Sequence, residues 1–381
     1  MSLSQSRFSK FFSLSSGETK PPDTEPLCSA EKTYPVYGGN GILGYSASYN
    51  HNGKTVIIGR VGEKCGCIHT ISGKAWISDN ALYTKGLEND DAYVFWSHLL
   101  RHIDLSRLRN KGGQPLVSQK PILSTKHWIP PLPEQKKIAE ILGACDEAIE
   151  AQERLIALKQ QRKKGLMQQL LTGKTRFPQF AGKPWREVLL KDIVEPLSRK
   201  NTVENTNVLT SSAKYGLVSQ TDYFNKSVAG VNTSGYYLLK RGEFAYNRSS
   251  AKGYPYGAIK RLDLYDEGIL STLYLCFFLK GEAQVQSDFL AHLFEAGLLN
   301  HGLQSVCQEG ARAHGLLNIT KSDFYGLRLN IPTLQEQEAI ESLLNAQADE
   351  IALQQTKLEQ LKQQKKGLMQ QLLTGKVRVK I

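Results

Sequence analysis

KKGLMQQLLTGK occupies residues 163–174 and again residues 365–376, identical at all twelve positions and 202 residues apart. At the same offset Ile129-Pro130 matches Ile331-Pro332, Leu132 matches Leu334, and Glu134-Gln135 matches Glu336-Gln337. Agreement on this scale marks an internal duplication, and a 202-residue period is too long for a solenoid. Each unit should therefore hold a globular head plus a linking element.

The linking element reads as a helix. Apolar residues fall at Ile138, Ile141, Leu142, Cys145, Ile149, Leu155, Ile156, Leu166 and Leu170, and again at Ile340, Leu343, Leu344, Ile351, Leu358, Leu361, Leu368 and Leu372. Steps of three and four give one apolar stripe. Pro133 suits a first turn, Glu134 and Glu336 suit the N-terminal dipole, and Gly173 and Gly375 suit the ends. Each helix should run roughly 40 residues, or about 60 Å at ~1.5 Å per residue. One stripe needs a partner, and the other copy supplies it. Packing by a pseudo-two-fold would make the helices antiparallel and put a head at either end. Gly165 and Gly367 interrupt both helices at equivalent places, as close helix approach, a partner contact or an inherited defect would each produce.

The heads, 1–128 and 177–330, read as β-rich with one or two helices each. Residues 54–60, 75–83, 236–246 and 269–279 look like strands, and 91–108 and 285–306 look helical. Between them lie Gly-rich loops that interleave basic, aromatic and amide residues. These make Tyr37, Gly39, Asn40, Arg60, Lys64 and Gln114 in the first head candidate DNA contacts, with Lys214, Tyr215, Arg248, Lys252, Tyr254 and Arg312 in the second. Arg pairs with guanine edges, Asn and Gln pair with adenine, and Gly lets backbone approach phosphate.

The balance of charge agrees: 48 Lys+Arg against 36 Asp+Glu leave a formal +12, suited to a polyanion. The other classes fare worse. At 381 residues, 40% hydrophobic and 22% charged, the chain is long and apolar enough for several folded domains. No apolar run approaches the roughly 20 residues of a membrane span, and no secretion signal is visible, so a cytoplasmic protein without a membrane partner is expected. Six cysteines are too sparse for a disulfide scaffold, and Cys65-Gly-Cys67 with His69 falls short of a zinc ligand set; no metal is expected. Gly39-Asn-Gly-Ile-Leu-Gly44 matches the dinucleotide-binding spacing, but YSASYNHN after it points to a hairpin rather than the required helix. Gly53-Lys54-Thr55 lacks the first glycine of a phosphate loop, and no residues assemble a nucleophile, base and orienter, so no catalytic group is expected.

IPPLPEQKKIAEIL (129–142), IPTLQEQEAIESLL (331–344), the twice-used LKQQ(R/Q)KKGLMQQLLTG ending, YPVYGGNGILGY and WISDNALY together resemble the specificity subunit of type I DNA restriction-modification systems, over nearly the whole chain. The resemblance implies an α+β fold: two β-rich target recognition domains (1–128 and 177–330) separated by two long antiparallel helices (129–176 and 331–381) forming a coiled-coil spacer. It implies that each head reads one half of a split site on double-stranded DNA. The helices would carry two modification (methyltransferase) subunits, with Ile138, Leu142, Gly165, Leu166, Ile340, Leu344, Gly367 and Leu368 as the docking positions. S-adenosylmethionine, ATP and Mg would sit on the modification and restriction subunits, with none in this non-catalytic chain. An orphan or decoy nucleic-acid-binding protein and a coiled-coil protein scaffold are the alternatives. One departure stands out: Pro184-Trp-Arg-Glu opens the second head, whereas SKFFSLSSGETKPP (9–22) implies that the first head's opening Trp-containing strand is missing or replaced.

Overall fold

The computed structural model describes residues 4–87, 90–110, 112–212, 215–224, 233–251, 253–309 and 317–381. It divides into two compact units, 1–155 with 354–381, and 156–353. Each unit contains one head, the start of that head's own helix and the far end of the other.

In the first unit β1 (Gln5–Arg7) pairs antiparallel with β8 (Lys126–Trp128). Of the two expectations for the Trp-containing opening strand, missing or replaced, the second holds: a strand without tryptophan takes its place, and Trp128 of the partner strand brings an indole instead. Next come β2 (Ser13–Ser16), β3 (Tyr34–Gly38), β4 (Gly41–Ser46), β5 (His51–Gly59), β6 (Ile68–Ile77) and β7 (Ala81–Lys85), forming one sheet in the order β2-β7-β5-β6-β3-β4. The 75–83 run is thus two strands with a turn at 78–80. β4 directly follows Gly39-Asn40-Gly41, so this glycine motif is a hairpin turn and not a dinucleotide cradle.

Helix α1 (Tyr93–Ile103) ends at Asp104, whose φ of 57° is left-handed. It covers the sheet with Phe95, Trp96, Leu99 and Leu100, and Phe8 and Phe12 stand edge-on to Trp96. A short α2 (Gln119–Ser124) leads to β8 and then to α3 (Leu132–Leu170). Ile138 and Leu142 of α3, with Leu372 and Leu373, belong to this same core.

The second unit repeats the plan. β9 (Arg186–Leu189) pairs with β20 (Arg328–Ile331), and β20 leads into α9 (Leu334–Leu372). Between lie α4 (Leu190–Ile193), β10 (Val194–Pro196), β11 (Leu209–Ser212), β12 (Gly216–Ser219), α5 (Gln220–Phe224), β13 (Tyr237–Lys240), β14 (Phe244–Asn247), β15 (Ala258–Arg261), β16 (Glu267–Leu270), β17 (Leu275–Leu279), α6 (Ser287–Glu295), α7 (Asn300–Val306), β18 (Gln308–Glu309), β19 (Leu317–Asn318) and α8 (Lys321–Tyr325). β10-β17-β14-β15 form a sheet, with β11–β12, β13–β16 and β18–β19 as ribbons. Left-handed glycines divide what the sequence presents as continuous runs: Gly242 (φ 87°) turns β13 into β14, and Gly297 (φ 72°) separates α6 from α7. Ile340, Leu344, Met167, Leu170 and Leu171 join the core of this head.

α3 and α9 each have 39 residues, about 58 Å at ~1.5 Å per residue. In the first unit Gln152 Nε2 donates to Gln354 Oε1 (2.8 Å), Lys362 pairs with Glu153 (2.9 Å) and Lys365 with Asp146. In the second, Lys159 pairs with Glu350. In the first unit Asp146 meets Lys365 while Gln152, later on α3, meets Gln354, earlier on α9, so the segments there run antiparallel.

The repeated Ile-Pro…Glu-Gln segment has a definite job. Gln135 and Gln337 each donate Nε2–H to a proline carbonyl just upstream, Pro130 and Pro332, both at 2.9 Å. Glu134 accepts from Arg378 Nη2 (2.6 Å), and Glu336 from Arg176 Nη2 (2.6 Å). Both carboxylates are 1% exposed. Each helix start is thereby clamped to the residues that follow the other helix's end, with Trp128 under Arg378 and Trp185 under Arg176. The pairing with Arg378 holds the Glu134 carboxyl below the usual carboxylate range.

Candidate nucleic-acid interface

In the first unit, the loops singled out from sequence converge. A Cβ on Gly39 would lie 2.6 Å from the Val61 carbonyl oxygen, and one on Gly59 only 2.1 Å from the Gly39 carbonyl oxygen. Backbone lies on backbone there, which glycine alone permits. This seats the β3–β4 turn on the loop joining β5 to β6. That loop is held on its other side by Gly62 N–H to Pro115 O (2.9 Å) and Val117 N–H to Arg60 O (2.8 Å). Arg60 N–H also reaches the Asn80 carbonyl (2.9 Å), adding the β6–β7 turn. Asn110 shapes the 110–116 segment by accepting from Leu116 N–H at 2.8 Å.

Tyr37, Gly39, Asn40, Arg60, Lys64 and Gln114 thus belong to one neighbourhood. Asn40, Lys64 and Gln114 are exposed, and Tyr37, Gly39 and Arg60 are half-buried. The Arg60 guanidinium donates to Ser16 Oγ (3.2 Å) and the Asp79 carbonyl oxygen (3.5 Å), both neutral acceptors. Among the described residues neither Arg60 nor Lys64 forms a salt bridge with a carboxylate. Ser16 carries no sequence signal of its own, and WISDNALY, which holds Asp79 and Asn80, does not say which loops they meet; only the folded loops bring them here.

Cys67 and His69 lie beneath the rim, Sγ to Nε2 at 3.5 Å, with the thiol also on the Gly39 carbonyl oxygen at 3.1 Å. Burial pushes the thiol up and the imidazole down, favouring neutral forms of both. That is opposite to the direction an activated thiolate requires. Among the described residues no group of three or more His, Cys, Asp or Glu is arranged to hold a metal ion.

In the second unit Tyr215, Arg248 and Tyr254 can be placed. Lys214, Lys252 and Arg312 lie outside the described residues. Tyr215 is 54% exposed beside β12. Arg248 donates Nε–H to Leu273 O (3.0 Å) and accepts through its carbonyl from Leu317 N–H, with no carboxylate against it among the described residues. Tyr254 is not presented outward: its hydroxyl accepts from Lys260 (2.8 Å) and donates to Glu295 (3.0 Å). Tyr223 and Phe224 were not singled out, yet they stand exposed and edge-to-face at 4.8 Å; two adjacent aromatics in a polar stretch were the available signal.

The helix positions also need correction. Ile138, Leu142, Ile340 and Leu344 are 0–1% exposed inside the cores of their own units. Their side chains are committed there and present nothing to another subunit. Leu166 and Leu368 are half-buried against the same cores. A Cβ on Gly165 or Gly367 would meet nothing within 4 Å, so neither glycine serves close helix approach within its unit. Leu155, Leu158 and Leu353, 38%, 64% and 66% exposed, are the large apolar positions left open on the helices among the described residues.

Residues 10–160 and 182–363 match the model of the type I restriction modification DNA specificity domain. The chain belongs to that family. It is 30% identical over 318 residues to the type I restriction enzyme MjaVIII specificity subunit of Methanocaldococcus jannaschii, covering 76% of this chain and 71% of the relative. It is 31% identical over 116 residues to the type I restriction enzyme EcoprrI specificity subunit of Escherichia coli, covering 30% and 28%. Among solved structures, the S subunit of a type I restriction-modification system from M. genitalium superimposes with a TM-score of 0.59 at 13% identity, covering 98% of this chain and 96% of that one. A chain of a type I restriction-modification system described for its complex assembly and conformational transition gives 0.55 at 15% identity, covering 99% and 100%. These two likenesses bear on the fold. No helix among the described residues is long and apolar enough to cross a membrane.

Proposed function

We propose that this chain is the DNA specificity subunit of a type I restriction-modification assembly, with residues 1–128 and 177–330 each reading one half of a bipartite site. Residues 129–176 and 331–381 would set the spacing and carry two modification subunits, probed first at Leu158, Gly165, Leu353 and Gly367. Methyl transfer, with S-adenosylmethionine, would belong to those subunits, and ATP-driven cleavage to restriction subunits; this chain contributes recognition and no chemistry, and works in the cytoplasm.

The observation that carries this reading is the rim of the first head. Glycine-permitted backbone contacts lock the β3–β4 turn, the β5–β6 loop and the β6–β7 turn together, hydrogen bonds to Pro115 and Val117 add the stretch with Gln114, and on this rim lie Asn40 and, without a salt-bridge partner among the described residues, Arg60 and Lys64. Cations without partners favour phosphate, and amides in a fixed frame suit base edges. The test is to exchange residues 177–330 for another family member's head and map the methylated sequence. One half-site should change and the other persist. Alteration of both, or of neither, would refute the division of labour.

A further inference from the structure

The rim of the first head carries an apolar feature that phosphate binding does not explain. Ile42 and Leu43, adjacent in β4, are 50% and 47% exposed. In a regular strand one of two neighbours would turn inward. Here the pairing shifts between Val36 and Tyr37: Val36 faces Gly44 and Tyr37 faces Ile42, leaving Leu43 as the extra residue of a bulge. Bulges re-aim side chains. Leu43 lies across Gly38, where a Cβ would stand 2.6 Å from Leu43 Cδ1, so it is braced by the turn. Ile42 stands next to it, two residues from exposed Asn40 on the turn that rests against Val61.

We propose that Ile42, braced by Leu43, contacts the C5-methyl group of a thymine in the half-site read by the first head. This rests on the reading of that head as a DNA reader. The argument is one of chemical matching. The turn leading into Ile42 carries Asn40 and rests on the loop that carries Arg60 and Lys64, so donors and acceptors for base edges and phosphates share its rim. Within the major groove every base-edge feature is a hydrogen-bonding group except the thymine methyl. A half-exposed isoleucine in such a frame has that single complement. Insertion between base pairs is the other use of an apolar side chain on DNA, but it unstacks a step and kinks the duplex. The Asn40 amide two residues away suits an edge-on approach better.

The test uses the chain assembled with its modification subunits on duplexes containing the methylated site. Head exchange first assigns the half-site belonging to the first head; if exchanging residues 1–128 changes neither half-site, the reading of the head fails, independently of the role of Ile42. Thymines in that half-site are then replaced one at a time by deoxyuridine, which removes only the methyl group. The wild type should lose about fourfold in affinity at one position, the equivalent of roughly 0.8 kcal/mol for one buried carbon. Ile42→Ala should bind thymine DNA about as weakly as the wild type binds the uracil form, and should be indifferent to the replacement. An unchanged melting temperature of the variant confirms that the exposed site tolerates alanine. A wild type indifferent to uracil at every position, a half-site without thymine, or a uracil penalty that survives Ile42→Ala overturns the proposal. So does 2-aminopurine fluorescence that rises at a base step with the wild type and not with Ile42→Ala, since that reports insertion.

Discussion

Removing either partner of the Glu134–Arg378 clamp should have unequal consequences, because the two side chains differ in burial. Glu134 is 1% exposed and Arg378 53%. Arg378→Ala strands a buried carboxylate with only the Val379 N–H, at 3.2 Å, left to it. Breaking a fully buried pair costs about 3–5 kcal/mol, and the remaining backbone donor places this case near ~3 kcal/mol. Glu134→Ala leaves an arginine that water can reach, so the loss is that of charged hydrogen bonds, about 2 kcal/mol. The double variant should also lose about 2 kcal/mol rather than the sum near ~5, since the second change removes the stranded charge. Glu134→Gln should likewise rescue Arg378→Ala in part. The assay is urea unfolding read by hydrogen-exchange mass spectrometry on peptides from β1, β8 and residues 372–381. An Arg378→Ala cost no larger than that of Glu134→Ala, or strict additivity in the double variant, would refute the reasoning.

Three further outcomes follow from the same structure. His98 is buried beside Asp146, Lys365 and Arg101, and burial holds its pKa at about 4 instead of 6.5. The unfolded chain therefore binds the proton first, and stability should fall by roughly 3 kcal/mol between pH 6.5 and 4; His98→Leu should flatten that part of a stability-against-pH curve, and an identical slope in the variant would contradict the assignment. Arg60→Ala with Lys64→Ala should weaken DNA binding and lower the slope of log affinity against log salt by up to about 2, as loss of two phosphate contacts requires, in a filter-binding titration; an unchanged slope would remove them from the interface. Gly59→Ala would press a methyl group onto the Gly39 carbonyl oxygen, costing on the order of 1–3 kcal/mol in urea unfolding; methylation of the first head's half-site should drop while pull-down of the modification subunits persists, and full methylation would show the loop contact to be dispensable.

The helices were legible in the sequence because they are long and periodic: α3 and α9 begin and end 202 residues apart, as the repeat does. The clamp was within reach too. Extending the repeat two residues past Lys174 and Lys376 aligns Arg176 with Arg378, just as Glu134 aligns with Glu336. The opening strand of the first head was not, since Gln5-Ser6-Arg7 carries no apolar pattern and forms only because β8 offers it an edge. The same limit applies to the site. Composition picked out glycine-rich loops, but which ones meet depends on where Gly59 lets Gly39 rest. Tyr254 shows the converse: its occupation by Lys260 and Glu295 depends on a residue 35 positions beyond Lys260, which local composition does not reveal. The helix stripe called for the other copy as its partner, and Leu372 and Leu373 do join Ile138 and Leu142, but most of the core around them comes from their own head, which a stripe alone does not reveal.

The central claim is that this chain chooses the DNA sequence on which its partners act. Single-molecule methylation sequencing of cells expressing the chain with its modification subunit, against cells lacking only this chain, tests that claim most directly. The account predicts a methyladenine motif in two parts, with a fixed spacer, that disappears with the chain. A methylome identical in both cells would contradict it.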